Sequence, residues 1–282
     1  VRTGFKVALY GVALAVVFGG TWAAGAAVGP SDTPVAAEMA HGEEAAHGGH
    51  ESAASAIPPG LSVSENGYTL RLKPDSALSF DIAGPDGKPV TKFAVEHEKR
   101  LHLVVARRDG TRFRHVHPEM ARDGTWSVPL SLPDAGSYRV FADFRPEGGP
   151  KTTLGADVEV PGDYRPVAHA VSRTFSADGY EVTLDGELRT GEASAVTVSV
   201  TKDGRPVTDL QDYLGAKGHL VALRGADLAY LHVHPEEGDR VRFAVEVPTA
   251  GLYRLFLDFR HGDVVRTAEF TLTTHEEDGH GH

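Results

Sequence analysis

The sequence predicts an all-β protein of two tandem β-sandwiches set after an N-terminal transmembrane helix. Three observations carry that reading: a duplication covering most of the chain, short β-branched and aromatic runs divided by turn residues, and one long apolar run near the start.

The apolar run comes first. Phe5 to Val28 carries a single charge, Lys6, among Val, Ala, Leu, Gly and aromatic residues. At about 1.5 Å per residue, a helix of this length crosses a hydrocarbon core of about 30 Å. Arg2 and Lys6 precede it and no cation follows closely, which keeps the N-terminus inside and everything after Pro30 outside. Residues 1–30 are read as a single-pass anchor in the cell membrane. The rival is a signal peptide, for which Trp22-Ala23-Ala24-Gly25-Ala26-Ala27 offers small residues to a peptidase, and the chain would then be secreted. The length of the run and its Gly-Pro exit favour the anchor. Both readings put the remaining domains outside the cytoplasm.

Residues 31–60 are rich in Ala, Gly, Pro, Glu and His, with little to bury, and read as a disordered linker. His41, His47 and His50 lie in it, and the acidic tail 275–282 adds His275, His280 and His282. Such tracts either collect divalent metal weakly or act as solvated spacers. Their spacing fixes no geometry.

The duplication sets the domains. Asp86-Gly87-Lys88-Pro89-Val90-Thr91 matches Asp203-Gly204-Arg205-Pro206-Val207-Thr208 at an offset of 117. Ala135-Gly136-Ser137-Tyr138-Arg139 and Asp143-Phe144-Arg145 match Ala250-Gly251-Leu252-Tyr253-Arg254 and Asp258-Phe259-Arg260 at 115, after a two-residue deletion. Two repeats follow, 61–162 and 166–274, each of ordinary domain size.

Within the first repeat, Leu101 to Ala106, Thr125 to Leu130, Tyr138 to Phe144 and Ala156 to Val160 read as strands between Asp-Gly, Pro-Asp and Gly-Gly turns. The second offers Val196 to Val200, His219 to Leu223, Val241 to Val247, Tyr253 to Phe259 and Val264 to Leu272. Strands this short and this closely spaced indicate sandwiches. Pro133 to Tyr138 and Pro248 to Tyr253 resemble the turn into strand F of immunoglobulin-like domains, where a tyrosine hydroxyl bonds back to the corner, so Tyr138 and Tyr253 are read as structural.

The repeat also carries the candidate chemistry. His-Val-His-Pro-Glu occurs at 115–119 and 232–236, and each copy follows a histidine thirteen residues upstream, giving His102/His115/His117 and His219/His232/His234. Two-residue spacing on a strand points both imidazoles of a pair to one face. The proline after each pair ends the ladder, and a hairpin-like return brings the upstream histidine alongside. Three imidazoles with an open position suit zinc or copper(II). The plain alternative is duplicated histidines bonded to backbone at a sheet margin. Glu119 and Glu236 are either fourth ligands or rim charges, and Met120 is a weak candidate. Asp143 and Asp258 either orient an imidazole or, more plainly, pair with arginines such as Arg145 and Arg260. His97, His169 and His261 lack counterparts and read as surface residues.

Composition excludes other classes. Without cysteine there are no disulfides, thiolate metal sites or thiol catalysis. The net charge is −11, eight acidic charges fall in the linker and tail, and no basic surface suggests nucleic acid. No nucleophile–base pair or phosphate loop suggests an enzyme.

The His-Val-His-Pro and Tyr-Arg-x-Phe-x-Asp-Phe-Arg stretches resemble those of actinobacterial secreted or membrane-anchored proteins described as heavy-metal-associated, and the domains are similar to YtkA-like and cupredoxin-like sandwiches. That resemblance, over about 61–274 and the anchor, implies immunoglobulin/cupredoxin-like β-sandwiches and a copper connection. The expectation is one copper or zinc ion per domain, bound for capture, buffering or delivery, with a metal transporter as a possible partner. The alternative is a cell-envelope interaction or adhesion module without metal.

Overall fold

The computed structural model describes residues 57–73, 78–231, 233–236, 238 and 240–275. The expected membrane helix, most of the linker and most of the tail lie outside these residues. Among those described there is no helix long and apolar enough to cross a membrane.

The described chain is all-β, in two tandem sandwiches, antiparallel but for one short parallel pair in the second. The first repeat contributes β1 (Ser64–Glu65), β2 (Tyr68–Lys73), β3 (Leu78–Ala83), β4 (Leu101–Arg107), β5 (Arg114–Val116), β6 (Glu119–Met120), β7 (Trp126–Val128), β8 (Gly136–Phe144) and β9 (Thr152–Val160). They form one sheet in the order β1-β2-β3-β7-β6 and a second in the order β5-β4-β8-β9. Between them lies a core built on Phe80, Phe93, Trp126, Tyr138 and Phe144, with Phe93 edge-on to both Trp126 and Phe144 at 5.3 and 5.7 Å.

The second repeat contributes β10 (Thr174–Ala177), β11 (Tyr180–Asp185), β12 (Leu188–Arg189), β13 (Ala193–Lys202), β14 (Arg205–Pro206), β15 (His219–Arg224), β16 (Tyr230–Leu231), β17 (Val233–Pro235), β18 (Val241–Glu246), β19 (Leu252–His261) and β20 (Val264–His275). One sheet runs β10-β11-β13-β18-β17 with β14 beside β13, and the other runs β12-β20-β19-β15-β16. The strands expected from the sequence are all present. Three of those missed, β2, β3 and β11, carry charged residues that interrupt the apolar pattern.

The tyrosine corners form as expected. The Tyr138 hydroxyl donates to the Asp134 carbonyl at 3.0 Å, and the Tyr253 hydroxyl to that of Thr249 at 2.6 Å.

The sheet β5-β4-β8-β9 is covered on both faces. Alternation sends Leu101, Leu103 and Val105 of β4 into the first core, while Val104 and Ala106 meet Val221, Leu223 and Phe256 of the second repeat in a separate apolar cluster. Every residue of β4 is therefore buried. This seam has an internal two-fold character. Phe113 stacks on Phe256 at 3.9 Å and 3°, and the residues equivalent to these by the repeat, Tyr230 and Phe141, also meet, at 5.6 Å. A pair of contacts that exchange under the repeat is what an isologous interface between two like domains produces.

Ile57 to Gly60 fall in the stretch read as linker, yet they are built into this seam. The Pro59 carbonyl accepts from the Tyr230 amide at 2.9 Å, and the Gly60 amide donates to Thr153 at 2.9 Å. A Cβ on Gly155 would run into the Gly60 carbonyl, so this crossing requires glycine.

Candidate metal centre

The histidines follow from the same alternation. In β4, His102 leaves the first core on the face shared with Val104 and Ala106. β5 pairs with β4 so that His115 stands opposite Val104, with Val116 packed on the first core and His115 on the far side. His117 comes two residues later, its ring centroid 4.8 Å from that of His115. One nitrogen from each of His102, His115 and His117 lies within 4.8 Å of the others, the one such group of three among the described residues. The first expected triplet is therefore assembled.

The second repeat's histidines are distributed differently. His219 opens β15 and faces the first repeat, its ring parallel to that of His102 (5.4 Å, 3°) and 4.8 Å from that of His115. His234 is exposed on β17, opposite Ala244 in the other sheet of its sandwich. His232 lies outside the described residues. The two repeats part where the chain changes sheet. In the first, Val116 still pairs with β4 and only Glu119 joins β7; in the second, Val233, the equivalent of Val116, already pairs with β18. The duplication predicts one triplet per domain; of the second, His219 lies beside the first triplet, at the seam.

Two carboxylates flank the cluster. Asp143 stands opposite His102 in the ladder and Asp258 opposite His219. Asp258 crosses the seam: one oxygen lies 2.8 Å from His115 Nδ1, and the other accepts from Thr267 at 2.6 Å. Asp143 accepts from Thr153 at 2.9 Å and pairs with Lys151 at 3.5 Å. The arginines expected as their partners are engaged elsewhere, Arg145 with Glu96 and Arg260 with Asp263.

These contacts fix the tautomers. His102 Nε2 lies 3.1 Å from the Glu96 carbonyl, which only accepts, so this nitrogen carries the proton and Nδ1 presents a lone pair. His115 Nδ1 donates to Asp258, leaving Nε2 as its inward atom. That Nε2 stands 3.1 Å from His102 Nδ1, and His117 Nε2 stands 3.3 Å from the same atom. Two bare lone pairs do not face each other at such a distance. A cation placed between them would satisfy both lone pairs. Nitrogens bound tetrahedrally at bond lengths of about 2.0–2.1 Å are about 3.3 Å apart, so the two separations from His102 suit a shared ion, while the 4.8 Å span of the whole triplet requires His115 and His117 to draw together around it.

Burial opposes protonation of the surrounding imidazoles. It pushes His102 down to about 4 and His117 down to about 3, with neighbouring His115 as the second cause in both. His219 is lowered further, again by burial first. Neutral imidazole is the ligating form.

His97 is an addition that the repeat could not disclose, having no counterpart. It sits in the loop before β4 with φ of 45°, its ring 5.7 Å from His219 and 6.0 Å from His102. Of the other residues weighed, Met120 packs on the first core, Glu236 pairs with Arg242 at 3.3 Å, and Glu119 is exposed on β6. His169 bonds the Asp109 carbonyl at 2.8 Å, and His261 meets the Tyr180 hydroxyl at 2.7 Å.

Fold and site define a tandem all-β protein with a half-buried histidine cluster at the junction of its repeats. The chain belongs to the family described as domain of unknown function DUF8832, which it matches twice, over residues 56–162 and 174–276. No curated protein matches it. Among solved structures it is similar to a titin fragment (14% identity, 78% of this chain and 96% of that one, TM-score 0.20) and to the major pilin subunit BcpA of Bacillus cereus (14%, 67% and 66%, TM-score 0.17). Likenesses at these TM-scores add nothing to the assignment of the site.

Proposed function

We propose that this is a metal-binding protein that takes one copper(II) or zinc ion on His102, His115 and His117. One observation carries the reading: the inward nitrogens of His102 and His115 face each other at 3.1 Å while their outward nitrogens are committed to Glu96 and Asp258. Imidazole-only ligation suits either metal, and the absence of cysteine rules out a thiolate site. His117 is only half-buried, which gives an ion a way in and out and fits capture, buffering or delivery rather than permanent structural service. The resemblance of the His-Val-His-Pro stretch to heavy-metal-associated proteins points the same way. With residues 1–30 as an anchor, the site stands outside the cell membrane, where a metal transporter is a natural recipient.

Calorimetric titration of the chain with zinc and with copper(II) tests this. The expected result is one ion per chain, lost in His102→Ala and in His117→Ala. Wild-type protein that takes neither metal, or binding untouched in both variants, rejects the reading in favour of an adhesion module without metal.

A further inference from the structure

The residues that complete the site belong to the other repeat. Asp258 of β19 is the sole acceptor the structure gives His115 Nδ1, and both side chains are almost fully enclosed, at 5% and 1% exposure. His219 of β15 lies flat against His102 and beside His115, closing one side of the triplet to water. Neither belongs to the His-Val-His-Pro motif of the first repeat. Around them the seam is held by Phe113 on Phe256, by Arg254 donating to the Gly110 carbonyl at 3.3 Å, and by Arg108 donating to that of Ala226 at 2.8 Å.

We propose that the ion site is a seam site: the second repeat completes it, Asp258 holding His115 in its ligating tautomer and His219 covering the triplet, so that ion binding and repeat docking form one coupled equilibrium. This rests on the triplet binding metal. Asp258 acts as a positioning residue, since it touches a ligand and not the ion. A carboxylate behind an imidazole fixes the ring and raises its basicity, and losing such a partner typically weakens metal affinity about 10- to 100-fold. Coupling is reciprocal: if docking makes the site, the occupied site strengthens docking by the same factor.

The test uses the full chain and zinc alone. Asp258→Asn keeps the shape and removes the charge, and should weaken zinc binding about 10- to 100-fold, with Asp258→Glu recovering part of the loss. Asp143→Asn, the equivalent change in the first repeat, removes a carboxylate bonded to Thr153 and Lys151, and should cost less. Long-range proton–nitrogen spectra should show Nδ1 of His115 protonated and Nε2 shifting on zinc addition, a signature that a purely structural Asp258 would not produce. Hydrogen exchange supplies a readout independent of substitution: zinc should protect amides in 101–107 and in 252–261 together. Zinc bound at full strength by Asp258→Asn, or protection confined to the first repeat, overturns the seam proposal while leaving the triplet intact. A wild-type chain that takes no zinc moves the same test to copper(II), and one that takes neither metal overturns both.

Discussion

His115 Nδ1 of the first repeat lies 2.8 Å from a carboxylate oxygen of Asp258 in the second. The two residues are 143 positions apart, and each sits on the outward face of a sheet whose inward face fills its own sandwich core. The contact exists because the two outward faces are pressed together by the apolar cluster around Phe256. Site and domain arrangement are thus products of the same packing.

The exposed His234 provides a contrast within the motif. Changing it to alanine should leave high-affinity zinc binding within about twofold, whereas His117→Ala, the equivalent change in the first repeat, abolishes it. Side-by-side titrations decide this. Equal losses in both variants would mean that each repeat builds its own site.

Acid should destabilise the fold through the cluster. An unfolded histidine titrates near 6.5, whereas His102 and His117 are lowered by burial to about 4 and about 3. Above pH 6.5 neither state is protonated and these groups give no pH dependence. Between pH 6.5 and the lowered values the unfolded chain holds protons that the fold refuses, so stability falls as pH drops through that window. Urea unfolding at pH 7.5 and pH 5 should show a lower midpoint at pH 5, and a smaller decrease in His117→Asn. A midpoint that rises in acid contradicts the assignment of neutral imidazoles. Added zinc should raise the midpoint at pH 7.5 and still do so at pH 5, where these folded imidazoles remain neutral, and should lose its effect only as the pH falls through about 4 and about 3, where protons compete for the same lone pairs.

How far the sequence disclosed these features depended on which forces were local. Alternation in β13, where buried and exposed positions interchange along ten residues, is the ordinary signal of a strand with one wet face. The unbroken Leu-Val-Val-Ala of β4 reads in the sequence only as a strand, and it is unbroken because both of its faces are covered. His102, His115 and His117 were legible because strand periodicity and a short return suffice to bring them together. The placement of His219 was not, because an exact repeat makes each copy look self-contained and contains no term for docking between copies. Asp258 was flagged by its recurrence, but the sequence offered Arg260 as the nearer partner, and only the seam brings His115 to it. His97 carries no repeat signal at all.

The crossing of Gly155 and Gly60 makes a sharp test of the segment before the first sandwich. In Gly155→Ala the new Cβ meets the Gly60 carbonyl, and the segment must move away. That movement releases the Pro59 carbonyl from Tyr230 and the Gly60 amide from Thr153. A loss of about 1–3 kcal/mol is expected, with faster hydrogen exchange at the Tyr230 amide. Unchanged exchange at Tyr230 would show that the segment does not brace the seam.

The aromatic pair Phe113 and Phe256 should behave as one unit. Their rings stack at 3.9 Å across the seam and both are buried, so each is the other's principal partner there. Truncating either to alanine removes a large apolar surface and leaves a void, a change that costs about 3–5 kcal/mol in a well-packed core. Residues in direct contact are not additive, so the double variant should cost less than the sum by about 0.5–1.5 kcal/mol, the coupling typical of aromatic pairs. The equivalent pair, Phe141 and Tyr230, meets at 5.6 Å with the rings tilted by 51°, and should show a smaller coupling. Urea unfolding of the two double-mutant cycles measures both. If the two repeats unfold independently, Phe256→Ala should shift only the second repeat's transition; if the seam makes them one cooperative unit, it shifts a single transition seen equally from probes in either sandwich.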